Sequence, residues 1–112
     1  MEIEKFLEMT RSLEKKKKGK AEELEKLQGF FERFHNLNRA YLDKETFEKA
    51  QGSISTMAEA IANTIKFLDS EITRLRNKRM KLPFENVELG EMQKVQKKNE
   101  LMIRELMTAG KG

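Results

Sequence analysis

The densest chemically distinctive stretch in this 112-residue chain is Lys15-Lys16-Lys17-Lys18-Gly19-Lys20, five lysines in six residues. Lysines in such a run release counterions on meeting phosphates, so they offer contact with nucleic acid or with an acidic partner. The plainer use is a solvated helix end, where the helix dipole favours cations. A second basic cluster, Arg74, Arg76, Lys78, Arg79 and Lys81, precedes the single proline, Pro83. No aromatic alternates with these residues, so the stacking platform of single-strand binders is lacking. A third group is aromatic: Phe30, Phe31, Phe34, Tyr41 and Phe47, with Phe67 further on. Spacings of three and four make it a core stripe first. It becomes a partner interface if nothing in the chain covers it, because large exposed apolar patches mark binding surfaces.

Catalytic and metal chemistry is sparsely supplied. With no cysteine, disulfides, thiolate metal sites and thiol nucleophiles are excluded. His35 is the single histidine, which leaves no second imidazole for a His-based metal centre and makes a Ser-His-Asp triad improbable on composition. Gly19-Lys20 lacks the glycine spacing before it and the Ser/Thr after it that a phosphate-cradling loop needs. The carboxylates fall at intervals that suit ion pairs on helical faces. The expectation is a non-enzymatic protein with no cofactor and no metal.

These residues must be held by helices. The chain is 38% charged and 38% hydrophobic, so it is not starved of apolar residues as disordered segments are. Its length suits one domain over 1–112. The net charge of +4 sits within mixed segments rather than in a tail. No apolar run approaches the roughly 18 residues of a membrane span. Met1-Glu2-Ile3-Glu4-Lys5 lacks the basic start and apolar core of a signal peptide. The expected compartment is the cytoplasm, of the cell or of an infected host cell, and no membrane partner is expected.

Period-3.6 patterning runs through the chain, which predicts an all-α fold. Ile3, Phe6, Leu7 and Leu13 share a stripe, and Leu24, Leu27, Phe31 and Phe34 continue it in phase. That predicts one helix over about 2–42. Gly19, at about 1 kcal/mol in a helix interior, and the acids Glu22, Glu23 and Glu25 argue instead for separate helices over about 2–18 and 20–42. Phe47, Ala50, Ile54, Met57, Ile61, Ile65, Leu68, Ile72, Leu75 and Leu82 predict a helix over about 43–81, with Gly52-Ser53 as its weak point and Thr56 with Glu59 as a capping box. Pro83 closes it. Met92, Val95, Met102 and Leu106 predict a last helix over about 86–108, whose stripe Asn99 interrupts.

Two architectures fit. One is an elongated, coiled-coil-like antiparallel helical hairpin with a third helix packed on it. Folding back near residues 42–43 would set Ile72 near Leu13 and Leu82 near Ile3, with Met92 near Leu75 and Leu106 near Ile61. The other is a four-helix bundle, if the first helix breaks near Gly19. In the hairpin the aromatic set is left uncovered, so docking onto a partner protein in the helix-in-groove manner is the leading expectation. The protein would then act by occupying a surface, as an adaptor, inhibitor or assembly chaperone of the kind small phage and mobile-element proteins supply. The alternatives are a nucleic-acid accessory protein using Lys15–Lys20 and Arg74–Lys81, and a self-assembling coiled coil, for example a homodimer.

Overall fold

The amphipathic stripes become five helices: α1 (Ile3–Lys15), α2 (Ala21–Leu37), α3 (Lys44–Ala50), α4 (Ile54–Asn77) and α5 (Pro83–Ala109). The structure is a computed structural model and describes residues 3–15, 21–50 and 52–109. No strand occurs among the described residues, as the periodicity predicts. The molecule measures 54 × 30 × 18 Å. The antiparallel pair α4 and α5 is its spine, with α1 and α3 packed on α4 and α2 packed on α5.

The first two stripes do not form one helix. The rings of Phe6 and Phe30 lie with centroids 5.6 Å apart. In a continuous helix their 24-residue separation would span about 36 Å. The bundle with separate α1 and α2 is therefore the architecture adopted. Folding back leaves Phe6 at 0% and Phe30 at 2% exposure. Each ring so buried contributes about 1.5–3 kcal/mol, which a phase-matched but solvated single helix would forgo.

The expected register of the hairpin is also corrected. Glu14 bonds to Ser53 and Ser55, so α1 lies against the first half of α4. Leu13 packs on the first core, whereas Ile72 belongs to a second one. Ile3 is buried, whereas Leu82 is 54% exposed. The far half follows expectation more closely: Met92 shares a core with Leu75, and Leu106 packs on the core that holds Ile61.

The helix expected over 43–81 is two helices. Asp43 caps α3, its carboxylate accepting the Thr46 N–H at 2.6 Å. That bond holds the Asp43 carboxyl below its ordinary value. α4 starts afresh at Ser53, which is extended (φ −146, ψ 128) and accepts the Thr56 N–H at 3.3 Å. The cap is thus Ser53, three residues before the expected Thr56. α4 has no acid in its own first turn. Glu14 of α1 supplies one, accepting the Ser55 N–H at 3.2 Å and the hydroxyls of Ser53 and Ser55. An anion there offsets the positive helix end. Ser53→Ala is expected to lower the unfolding free energy by about 1 kcal/mol, read as a lower urea midpoint at unchanged slope.

Two apolar cores result. The first gathers residues of all five helices, from Ile3 and Phe6 through Phe34 and Ile61 to Ile103. The second is small: Leu68, Leu75 and Met92, with Tyr41, Ile72, Leu89 and Val95 against it. A string of amides runs through the interior. Asn38 Nδ2 donates to the Phe34 carbonyl at 2.9 Å and to Asn99 Oδ1 at 2.8 Å. Asn99 Nδ2 donates to Asn38 Oδ1 at 2.9 Å and to Gln96 Oε1 at 3.1 Å. Gln96 Nε2 donates to the Ile65 carbonyl at 2.9 Å and to Asp69 at 2.6 Å. Each amide N–H of the three side chains is thereby used. Burial is tolerable on those terms, since an unpaired polar group would be costly.

Candidate docking surface

Four of the six candidate interface residues are core. Phe30, Phe31, Phe34 and Phe47 are 2%, 5%, 0% and 7% exposed. Phe30 lies 6.1 Å from both Phe31 and Phe34, ring to ring. His35 stacks on Phe47 with centroids 4.3 Å apart. Phe6 of α1 packs on Phe30, and the other three rings share one core with residues of all five helices, so the set is closed from within the chain. Tyr41 is half-buried against the second core. Burial, then the carboxylates of Glu88 and Glu91, push its hydroxyl above the ordinary tyrosine value. Phe67, 49% exposed, is the one member of the set left at the surface.

The basic clusters fare differently. Lys16, Lys17, Lys18 and Lys20 lie outside the described residues, as does the side chain of Lys15. The second cluster lies where α4 ends and the chain turns into α5. Arg74 forms a two-point ion pair with Glu71, at 2.8 and 3.3 Å. Lys78 pairs with Glu85 at 2.7 Å. Arg76, Arg79 and Lys81 form no ion pair among the described residues.

Beside those three cations stands an apolar set that the spacing did not single out as a surface. Met80, Leu82, Phe84 and Val87 are 86%, 54%, 63% and 67% exposed. No residue from Arg76 to Glu88 belongs to either core. The spine therefore ends as a two-helix arm with an apolar, basic tip. One signal was available in the sequence. Phe84 and Val87 each sit eight residues before Met92 and Val95, which turns them roughly 80° off that stripe.

The turn is pinned rather than loose. α4 closes with Lys78 extended (φ −72, ψ 126) and its N–H on the Leu75 carbonyl. Pro83 takes the first position of α5, where its missing N–H costs nothing. Glu85 reaches back to accept the Leu82 N–H at 3.0 Å while its other oxygen holds Lys78. The Glu85 side chain is 7% exposed. The Lys78 ammonium, then the Leu82 N–H, hold its carboxyl below the ordinary glutamate value. Because the folded pKa is depressed, the pin is complete above the ordinary value of about 4.3 and is lost as pH falls through the lowered one. Acidification through that window is expected to raise amide exchange selectively at residues 78–86, and Glu85→Gln to abolish the pH response.

Elsewhere chemistry is thin. A shallow cleft of ≈ 290 Å³ lies between α2, α3 and the start of α4, floored by Phe31, Phe47 and Met57 with Gln28 and Glu32 at its rim. The Ser53 hydroxyl beside it is engaged by Thr56 and Glu14. Among the described residues no group of three or more histidines, cysteines or carboxylates is placed to hold a metal ion, and no helix is long and apolar enough to cross a membrane. Fold and surface together define a small all-α bundle with a projecting two-helix arm. Compared with protein-family models, curated proteins and solved structures, the chain matches none.

Proposed function

We propose that this protein is a non-enzymatic binding module that acts by occupying the surface of a partner protein, and that it docks through the tip of the α4–α5 arm. The supporting observation is the exposed set Met80, Leu82, Phe84 and Val87, clustered at one end of the molecule outside both cores. Apolar side chains on such a tip lose contact with water when a partner covers them, at about 25 cal/mol per Å². Arg76, Arg79 and Lys81 stand ready to steer an acidic surface toward it. An adaptor, inhibitor or assembly chaperone would work in this way, in the cytoplasm of the cell or of an infected host. The docking site is thus moved from the aromatic stripe, which the core has consumed, to the arm.

The test compares three tagged full-length baits in lysate with and without nuclease treatment: the natural chain, a Leu82→Asp/Phe84→Asp variant, and Phe67→Asp. Circular dichroism checks that each is folded. Proteins retained by the natural chain and by Phe67→Asp are expected to fall about tenfold with the double variant, a change worth 1.4 kcal/mol. Retention that ignores the double substitution would overturn the reading. So would retention that disappears with nuclease treatment, which would promote nucleic acid as the partner.

A further inference from the structure

The geometry points to a particular kind of partner site: we infer that the arm tip is a plug for an apolar cleft rimmed by carboxylates. This rests on the docking reading above and adds the chemistry of the other side. The first argument is shape. The apex is a turn between antiparallel helices, and its most exposed apolar residues, Met80 and Val87, are 86% and 67% exposed. A projecting knob of this kind buries most area in a concave site, and close-packed concave sites are where binding energy concentrates.

The second argument is charge. Between Arg74 and Phe84 the chain has five basic residues and no acidic one. Glu71 and Glu85 neutralise Arg74 and Lys78. Among the described residues Arg76, Arg79 and Lys81 form no ion pair, and they stand beside the apolar apex. Seating the apex removes water from these cations too, which is costly unless the partner supplies anions. Carboxylates at the mouth of the cleft meet that need.

The third argument separates a protein cleft from other anionic surfaces. Glu91 follows Phe84 by seven residues, on nearly the same side of α5 and about 10 Å behind it. Glu88 stands between them, and both are exposed. A plane of anionic headgroups or a phosphate backbone laid along the arm would meet these acids as well as the basic turn. A cleft of limited depth admits the tip and stops short of them. One ring, Phe84, makes no stacking platform for single-stranded nucleic acid. The pin at Glu85 and the fixed φ of Pro83 hold the plug in one shape beforehand, which reduces the ordering cost of binding.

The full chain carrying Phe84→p-benzoylphenylalanine is irradiated in source lysate and the cross-linked peptide is mapped. The expected product joins residue 84 to one protein, at an apolar segment flanked by Asp and Glu. Its yield should fall about tenfold with Arg76→Glu/Arg79→Glu/Lys81→Glu, and again on raising salt from about 0.05 M to about 0.5 M. Arg79→Ala, with a smaller loss, guards against misfolding of the triple variant. A protein cross-link unmoved by charge reversal overturns the acidic rim while leaving tip docking standing. Cross-links to nucleic acid or to a second copy of this chain overturn the inference, as does co-sedimentation with phosphatidylserine vesicles. No cross-link at residue 84 overturns both readings.

Discussion

Phe34→Ala is expected to lower the unfolding free energy by about 3–5 kcal/mol. The side chain is 0% exposed and its ring lies 6.1 Å from that of Phe30, within the core that holds α1 against the bundle. Small domains are stable by about 5–15 kcal/mol in all, so this is a large share. The measurement is urea unfolding followed by helical circular dichroism. Phe67→Ala, at a 49% exposed position, serves as the comparison and should move stability by no more than about 0.5 kcal/mol. The pair of variants decides between two roles for the aromatic stripe. If Phe34→Ala kept full stability and helicity, the ring would be a surface anchor and the packing of α1 described above would be wrong.

The second large effect is expected at Asn99. Asn99→Leu strips Asn38 of its side-chain partner and leaves Gln96 Oε1 without its donor. Buried polar atoms orphaned in this way cost about 1–3 kcal/mol each, so a loss of roughly 3 kcal/mol follows. Asn38→Leu should cost a similar amount. The double variant should lose clearly less than the sum, because two apolar groups facing each other no longer leave an amide unpaired. A double-mutant cycle in urea is then expected to show a coupling of about 0.5–3 kcal/mol. Strict additivity would mean that the two amides are not bonded in solution. The network also has a geometric consequence. A one-turn slide of α5 along α2 moves Asn99 by about 5.4 Å and parts it from Asn38, so the amides favour one register where a purely apolar seam would tolerate several.

Much of the local structure was legible along the chain. The stripe Met92, Val95, Met102 and Leu106 belongs to α5, and the break foreseen at Gly52-Ser53 is where α4 begins. Gly19 and the acids after it spoke for separate first and second helices, and the contact of Phe6 with Phe30 bears this out. Asn99 announced itself as an interruption. Its partner, Asn38, lies 61 residues away, and no pattern within one helix can name such a residue. The tip was misjudged for a related reason. Leu82 keeps the helical spacing of a core stripe, yet the helix stops at Asn77 and Leu82 is left exposed, outside both cores.

The sequence by itself therefore determined the all-α class and most of the helical segments, because 3.6-residue periodicity acts over a few neighbouring residues. Only the tertiary structure decided that the aromatic stripe is buried within the chain and that the arm tip stays exposed. Burial of apolar surface has no direction and no preferred partner. An amphipathic helix specifies that one of its faces must be covered, and the packing of the whole chain settles what covers it and what is left exposed.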